Sequence, residues 1–132
     1  MYDVETKRDK LQKILEEKIE TEIKEVTGVV LIRNDGLVIA STRSISEAEA
    51  EKIGGLSAAI LGMAIRINKF LNHGSFNELV LKSEDGILYI RKIFDELGVI
   101  LSVKAKKDIP LGYLLVIIEN ASEEIKKILK EG

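Results

Sequence analysis

Val26-Thr-Gly-Val-Val-Leu-Ile-Arg-Asn-Asp-Gly-Leu-Val-Ile-Ala-Ser41 is an apolar, β-branched run broken once, at Asn34-Asp35-Gly36. β-Branched side chains fit a pleated surface and Asn-Asp-Gly supplies turn chemistry, so the stretch predicts two antiparallel strands, 27–33 and 37–43, joined as a tight hairpin. The same grammar returns downstream. Residues 76–82, the turn Ser83-Glu84-Asp85-Gly86 and residues 87–94 predict a second hairpin, and residues 98–104 a fifth strand. The two hairpins look alike because Asp-Gly turns between apolar strands recur for local reasons, not because a unit is duplicated.

On either side of these strands the apolar period lengthens. Val4, Leu11, Ile14, Leu15, Ile19, Ile23 and Val26 keep a three- and four-residue rhythm, which predicts an amphipathic helix over 3–26. Ser46-Glu47-Ala48-Glu49 has the form of a capping box, with Ile45 placed to staple onto Ala50. The helix it opens runs to about Leu71 and closes at Asn72-His73-Gly74, where Gly74 is expected to take the left-handed conformation. Near the C-terminus, Tyr113 to Ile118 has strand composition, but Leu111, Leu114, Leu115, Ile118, Ala121, Ile125, Ile128 and Leu129 keep helical spacing, so residues from Pro110 onward read as helix. Helix, two strands, helix, three strands, helix gives an α+β chain whose five-stranded antiparallel sheet needs cover on both faces. A three-layer α/β/α sandwich answers that need, as one domain spanning 1–132.

Composition removes many chemistries. The chain has 132 residues, 20 Lys+Arg against 22 Asp+Glu, one His and no Cys. Thiol catalysis, disulfides and cysteine-ligated metals are excluded. The near-neutral, interleaved charge gives no nucleic-acid footprint, and the one basic cluster, Lys104, Lys106 and Lys107, has no aromatics beside it. His73 sits at a helix end, where capping the carbonyls is the simple reading. Phosphate loops are absent, and acidic neighbours such as Asp95-Glu96 or Glu123-Glu124 read as solvated surface. The expectation is a cytoplasmic protein with no catalytic residues, no metal, no cofactor, no nucleic acid and no membrane insertion.

The middle helix is the anomaly. Gly54, Gly55 and Gly62 fall inside it, each costing roughly 1 kcal/mol relative to alanine. Ile53, Leu56, Ile60, Met63, Ala64, Ile67 and Leu71 share one side and are the stripe expected on the sheet. The opposite side carries Gly54, Ala58 and Gly62, flanked by Gly55, Leu61 and Ile65, instead of charge. A helix apolar or small all round is covered twice, and a symmetric homodimer is the commonest second cover. Residues 76–82 are a candidate sheet edge that a second copy would join.

These segments together, with Ala58-Ala59-Ile60 and Pro110-Leu111-Gly112, resemble the roadblock/dynein light chain domain family along nearly the entire chain. The resemblance implies a roadblock/profilin-like sandwich with the long helix on one face and both terminal helices on the other. It implies dimerisation through the second helix and third strand, here Gly54, Ala58, Leu61, Gly62, Ile65, Phe76, Glu78 and Val80. It further implies association with a small Ras-like GTPase by a non-enzymatic homodimeric regulator or adaptor, with Glu47, Glu51, Arg66 and Lys69 as its contact candidates. The small stand-alone form is similar to prokaryotic members, and the composition fits an archaeal source. The alternative the family offers is a structural dimerisation scaffold of a motor or multiprotein complex, indifferent to nucleotide state. A small-ligand sensor would need a polar cluster that the sequence lacks.

Overall fold

The computed structural model describes residues 4–94 and 98–131. Helix α1 (Val4–Ile14) continues into a π-helical segment, Leu15–Glu20; then come β1 (Val26–Arg33), β2 (Val38–Ser41), α2 (Glu47–Leu71), β3 (Glu78–Lys82), β4 (Ile87–Phe94), β5 (Val99–Ala105) and α3 (Leu111–Lys130). The five strands form one antiparallel sheet in the order β2-β1-β5-β4-β3. Alternation along the central strands feeds two cores: Val29, Leu31, Tyr89, Leu101 and Val103 face α1 and α3, whereas Val30, Ile32, Ile90 and Ile100 face α2. The expected three-layer sandwich is the architecture found.

The π-helical segment has a geometric consequence. Leu11, Leu15, Ile19 and Ile23 are all buried and recur at a strict four-residue interval. In an α-helix such a row drifts by about 40° per step. The widened turn, in which the Thr21 N–H donates to the Glu16 carbonyl at 2.8 Å, takes up that drift and keeps the row on the core.

Helix α2 begins as expected, with the Ser46 hydroxyl accepting from the Glu49 N–H at 3.1 Å. Glu49 does not reach back to complete a box; its carboxylate takes Lys104 Nζ at 2.7 Å instead, tying the first turn to the end of β5. The helix ends at Asn72, which adopts the left-handed conformation at φ 58°, and Gly74 two residues on takes a positive φ of 83° as expected. His73 caps through its backbone, donating N–H to the Asn68 carbonyl at 2.9 Å in the manner of a Schellman motif.

The face that α2 turns to the sheet differs from the one expected. Ala50, Gly54, Ser57 and Leu61 are buried against it, flanked by the half-buried Ile53, Ile60 and Ala64, while Leu56, Met63, Ile67 and Leu71 are exposed. The stripe is rotated by about a quarter turn from the hydrophobic reading. The cause is a close approach: a Cβ on Gly54 would stand 2.7 Å from the Gly36 carbonyl oxygen, so the helix rests on the first hairpin only where there is no side chain. Beside that contact, the Ser57 and Ser102 hydroxyls satisfy each other at 2.7 Å in the buried layer between α2 and β5.

Candidate functional site

Two surfaces of the sandwich have no cover among the described residues. The outer side of α2 exposes Leu56 (64%), Met63 (62%), Ile67 and Phe70 (86%), and beside this row the exposed Gly55 and Gly62, where a Cβ would meet nothing within 4 Å. Helix α2 lies mainly over β1, β2 and β5. On its side of the sheet, the β3–β4 hairpin therefore presents Leu79 and Leu88 half-buried and Leu81 exposed. Isolated exposed apolar residues mean little, but a row of them along a helix, continued onto a strand, is the kind of patch that marks a protein contact.

The two sheet edges are treated differently. At the β2 edge, four side chains from the first helix, spaced four residues apart, grip the strand and the loop after it. Arg8 Nε donates to the Ile39 carbonyl at 3.3 Å and Gln12 Nε2 to the Ser41 carbonyl at 2.8 Å. Glu16 accepts from the Arg43 N–H at 2.9 Å, and Glu20 from the Ser44 hydroxyl at 2.5 Å. This polar ladder occupies the groups that another strand would use. At the β3 edge no helix lies alongside among the described residues, and β3 pairs only with β4.

Behind β3 sits a polar cluster. The buried Tyr89 hydroxyl donates to Glu78 Oε1 at 2.9 Å, Arg91 lies 3.8 Å from the same carboxylate, and Arg91 also pairs with Glu119 of α3. Burial pushes the Tyr89 hydroxyl up to about 12. Burial works against the Arg91 charge, yet its bonds to Tyr89 and Glu119 leave that guanidinium raised. Glu78 is thus held in place at the open edge by groups rooted in the core.

Of the residues expected at a dimer interface, Gly62, Ile65 and Glu78 are exposed and Ala58 and Val80 half-buried. Gly54, Leu61 and Phe76 are not available: Gly54 abuts the Gly36 turn, and Leu61 and Phe76 are core residues beneath α2, each 5% exposed. Sequence reasoning misses the exposed Leu56, Met63, Ile67, Phe70 and Leu81 for this face, because apolarity alone places such residues inward. The four charged contact candidates do not form one site. Glu47 and Glu51 line a groove of about 550 Å³ with Arg8, Gln12, Leu37 and Arg43, whereas Arg66 and Lys69 are exposed on the distant half of the helix. Fifteen residues of helix separate Glu51 from Arg66, roughly 22 Å of rise.

Among the described residues no group of three or more His, Cys, Asp or Glu could hold a metal ion; Asp95 and Glu96 lie outside them. By length and composition α2 is the one described helix that could cross a bilayer, but here it forms a layer of the sandwich.

Comparison with known proteins places this geometry in context. The sequence profile of the Roadblock/LC7 domain matches residues 19–105. Solved structures with the same fold include the gliding protein MglB from Thermus thermophilus, with TM-score 0.83 and 21% identity, covering 100% of this chain and 96% of that one. MglB of Myxococcus xanthus has TM-score 0.77 and 18% identity over 98% of this chain and 93% of its own. A Roadblock/LC7 domain from Streptomyces avermitilis has TM-score 0.77 and 16% identity over 98% and 100%. No curated relative matches significantly by sequence.

Proposed function

Because the chain belongs to the Roadblock/LC7 domain family, we propose that it is a non-enzymatic, homodimeric regulator or adaptor of a small Ras-like GTPase, acting in the cytoplasm by nucleotide-state-dependent binding. The observation that carries this reading is the apolar outer face of α2 together with the open edge at β3. A second copy covers the part of that face nearest β3, and the remaining α2 surface, with its charged ends at Glu47, Glu51, Arg66 and Lys69, is where a GTPase would rest. Structural likeness to two MglB proteins supports the assignment of fold on which the proposal stands.

The mechanism is positional. A GTPase switches between ordered and released arrangements of its switch loops, and a surface that fits one arrangement better shifts the balance toward it. The shift is limited by the difference in affinity for the two states, about 1.4 kcal/mol for each tenfold. No side chain need enter the nucleotide site, and an arginine finger is not required of Arg43 or Arg66.

The test is light-scattering mass of the purified chain, alone and mixed with small GTPases from its own genome, each loaded with GDP or a GTP analogue. A dimer that gains a GTPase in one nucleotide state and not the other supports the proposal. A dimer indifferent to every GTPase overturns the regulatory half of it and leaves the structural scaffold.

A further inference from the structure

The groove beside β2 carries charges of both signs that the chain itself does not use. Its volume is about 550 Å³, and it crosses the border of the sheet, from the first helix on one face to the first turns of α2 on the other. Small-molecule sites commonly have this size. The apolar part of its lining is firm, since Ala40, Ile45 and Ala50 are all buried.

Four charged side chains line the groove, Arg8 and Arg43 against Glu47 and Glu51, and none of them makes an ion pair among the described residues. Glu49, between the two carboxylates in sequence, does find a partner in Lys104. The four are nevertheless held in place. Arg8 Nε is anchored on the Ile39 carbonyl at 3.3 Å, and the Arg43 N–H on Glu16 at 2.9 Å. Glu47 and Glu51 stand four residues apart on α2, so they share a face, where like charges repel unless a cation comes between them.

The strand adds a backbone donor. Thr42 N–H donates to the Val29 carbonyl, so by the alternation of an antiparallel ladder Ser41 points its own backbone groups outward. Gln12 takes the Ser41 carbonyl at 2.8 Å, which leaves the Ser41 N–H for the groove. The polar cluster that a small-ligand site requires is thus assembled by the fold from three separate segments of chain.

The balance of signs selects the ligand. A lone anion drawn by the two arginines is repelled by the two glutamates, and a lone cation meets the reverse. A molecule that carries both charges, set apart from each other, is attracted at each end. We propose that the groove binds a small zwitterion whose ammonium and carboxylate are separated by an apolar chain. The carboxylate accepts from Arg8, Arg43 and the Ser41 N–H, the ammonium donates to Glu47 and Glu51, and the chain between them lies over Ala40, Ile45 and Ala50. The site stands independently of the GTPase reading.

The experiment is an NMR titration of the isotope-labelled chain with 6-aminohexanoate, and in parallel with hexylamine and hexanoate, each of which keeps one of the two charges. 6-Aminohexanoate is expected to shift the amides around the groove, Ser41 among them, to saturation, and to bind about tenfold or more tightly than either single-charge probe. Glu51→Gln should remove its advantage over hexanoate, and Arg43→Gln its advantage over hexylamine. Both side chains are exposed and make no bond among the described residues, so the variants keep the fold, which their unchanged spectra away from the groove verify. Equal binding of the three probes, shifts outside the groove, no saturable shift, or variants that bind like the parent each overturn the proposal.

Discussion

The carbonyl oxygen of Gly36 lies 2.7 Å from where a Cβ on Gly54 would stand, which makes the turn of the first hairpin a seat for α2. Gly36 itself holds a φ of 93°, so neither partner tolerates a side chain without movement. Gly54→Ala is expected to lower the unfolding free energy by about 1–3 kcal/mol, the usual cost of overpacking. Gly62→Ala, with open space around it, is expected to raise it by up to about 1 kcal/mol through helix propensity. Urea unfolding of both variants checks the contrast; equal stabilities would mean the helix does not sit on the turn.

That contact also explains where the sequence misleads. The strands, their order along the chain, the Ser46 cap and the three layers are all legible, because turn residues and alternation are local signals. The phase of α2 is not. Reading apolarity as inwardness turns Leu56, Met63 and Ile67 to the sheet, whereas the sheet is met by Gly54 and Ser57, one chosen for its lack of a side chain and the other for a single hydroxyl partner. A helix apolar on both sides gives no vector by which to orient it. Phe76 escapes the reading for a related reason: it sits just outside β3 and turns under α2, which a strand beginning at residue 76 does not anticipate.

The Ser57–Ser102 pair makes a two-step prediction. Ser57→Ala strands the Ser102 hydroxyl in a buried layer and should cost about 1–3 kcal/mol. Adding Ser102→Ala removes the orphan, and the double variant should be more stable than Ser57→Ala alone. Chemical denaturation of the cycle measures the coupling; additive losses would mean the two hydroxyls act independently.

Alkaline pH acts on the polar cluster behind β3. Tyr89 holds its proton to about pH 12, against 10.0 when unfolded. Its contribution to stability is therefore full below pH 10.0 and is lost as pH rises through about 12. The stability difference between the parent and Tyr89→Phe should shrink across that window, followed by circular dichroism. A difference that stays constant would mean that burial does not hold the proton on this hydroxyl. At the acid end the sign reverses: the Arg33 guanidinium, bonded to Asp35, holds that carboxyl at about 2 rather than 3.8. Asp35→Asn should lose its deficit relative to the parent as pH falls between those values.

The ladder from the first helix predicts a change in assembly. Gln12→Ala combined with Glu16→Ala removes the bonds to the Ser41 carbonyl and the Arg43 N–H, leaving part of the β2 edge open. Concentration-dependent species larger than those of the parent should appear in sedimentation velocity, from strand pairing at the newly exposed edge. Retention of the parent's distribution would mean that Arg8 and Glu20 suffice to block it.

Polymer chemistry gives the ladder a further meaning. A sheet able to add a strand at either border is bifunctional, and bifunctional units grow into fibres of indefinite length. The first helix ties up one border, and on the proposed pairing at the other border such a unit is monofunctional and can only terminate. The side chains of Arg8, Gln12, Glu16 and Glu20 thus act as a chain stopper, setting an upper bound on strand-by-strand growth without touching the border at which that growth would begin.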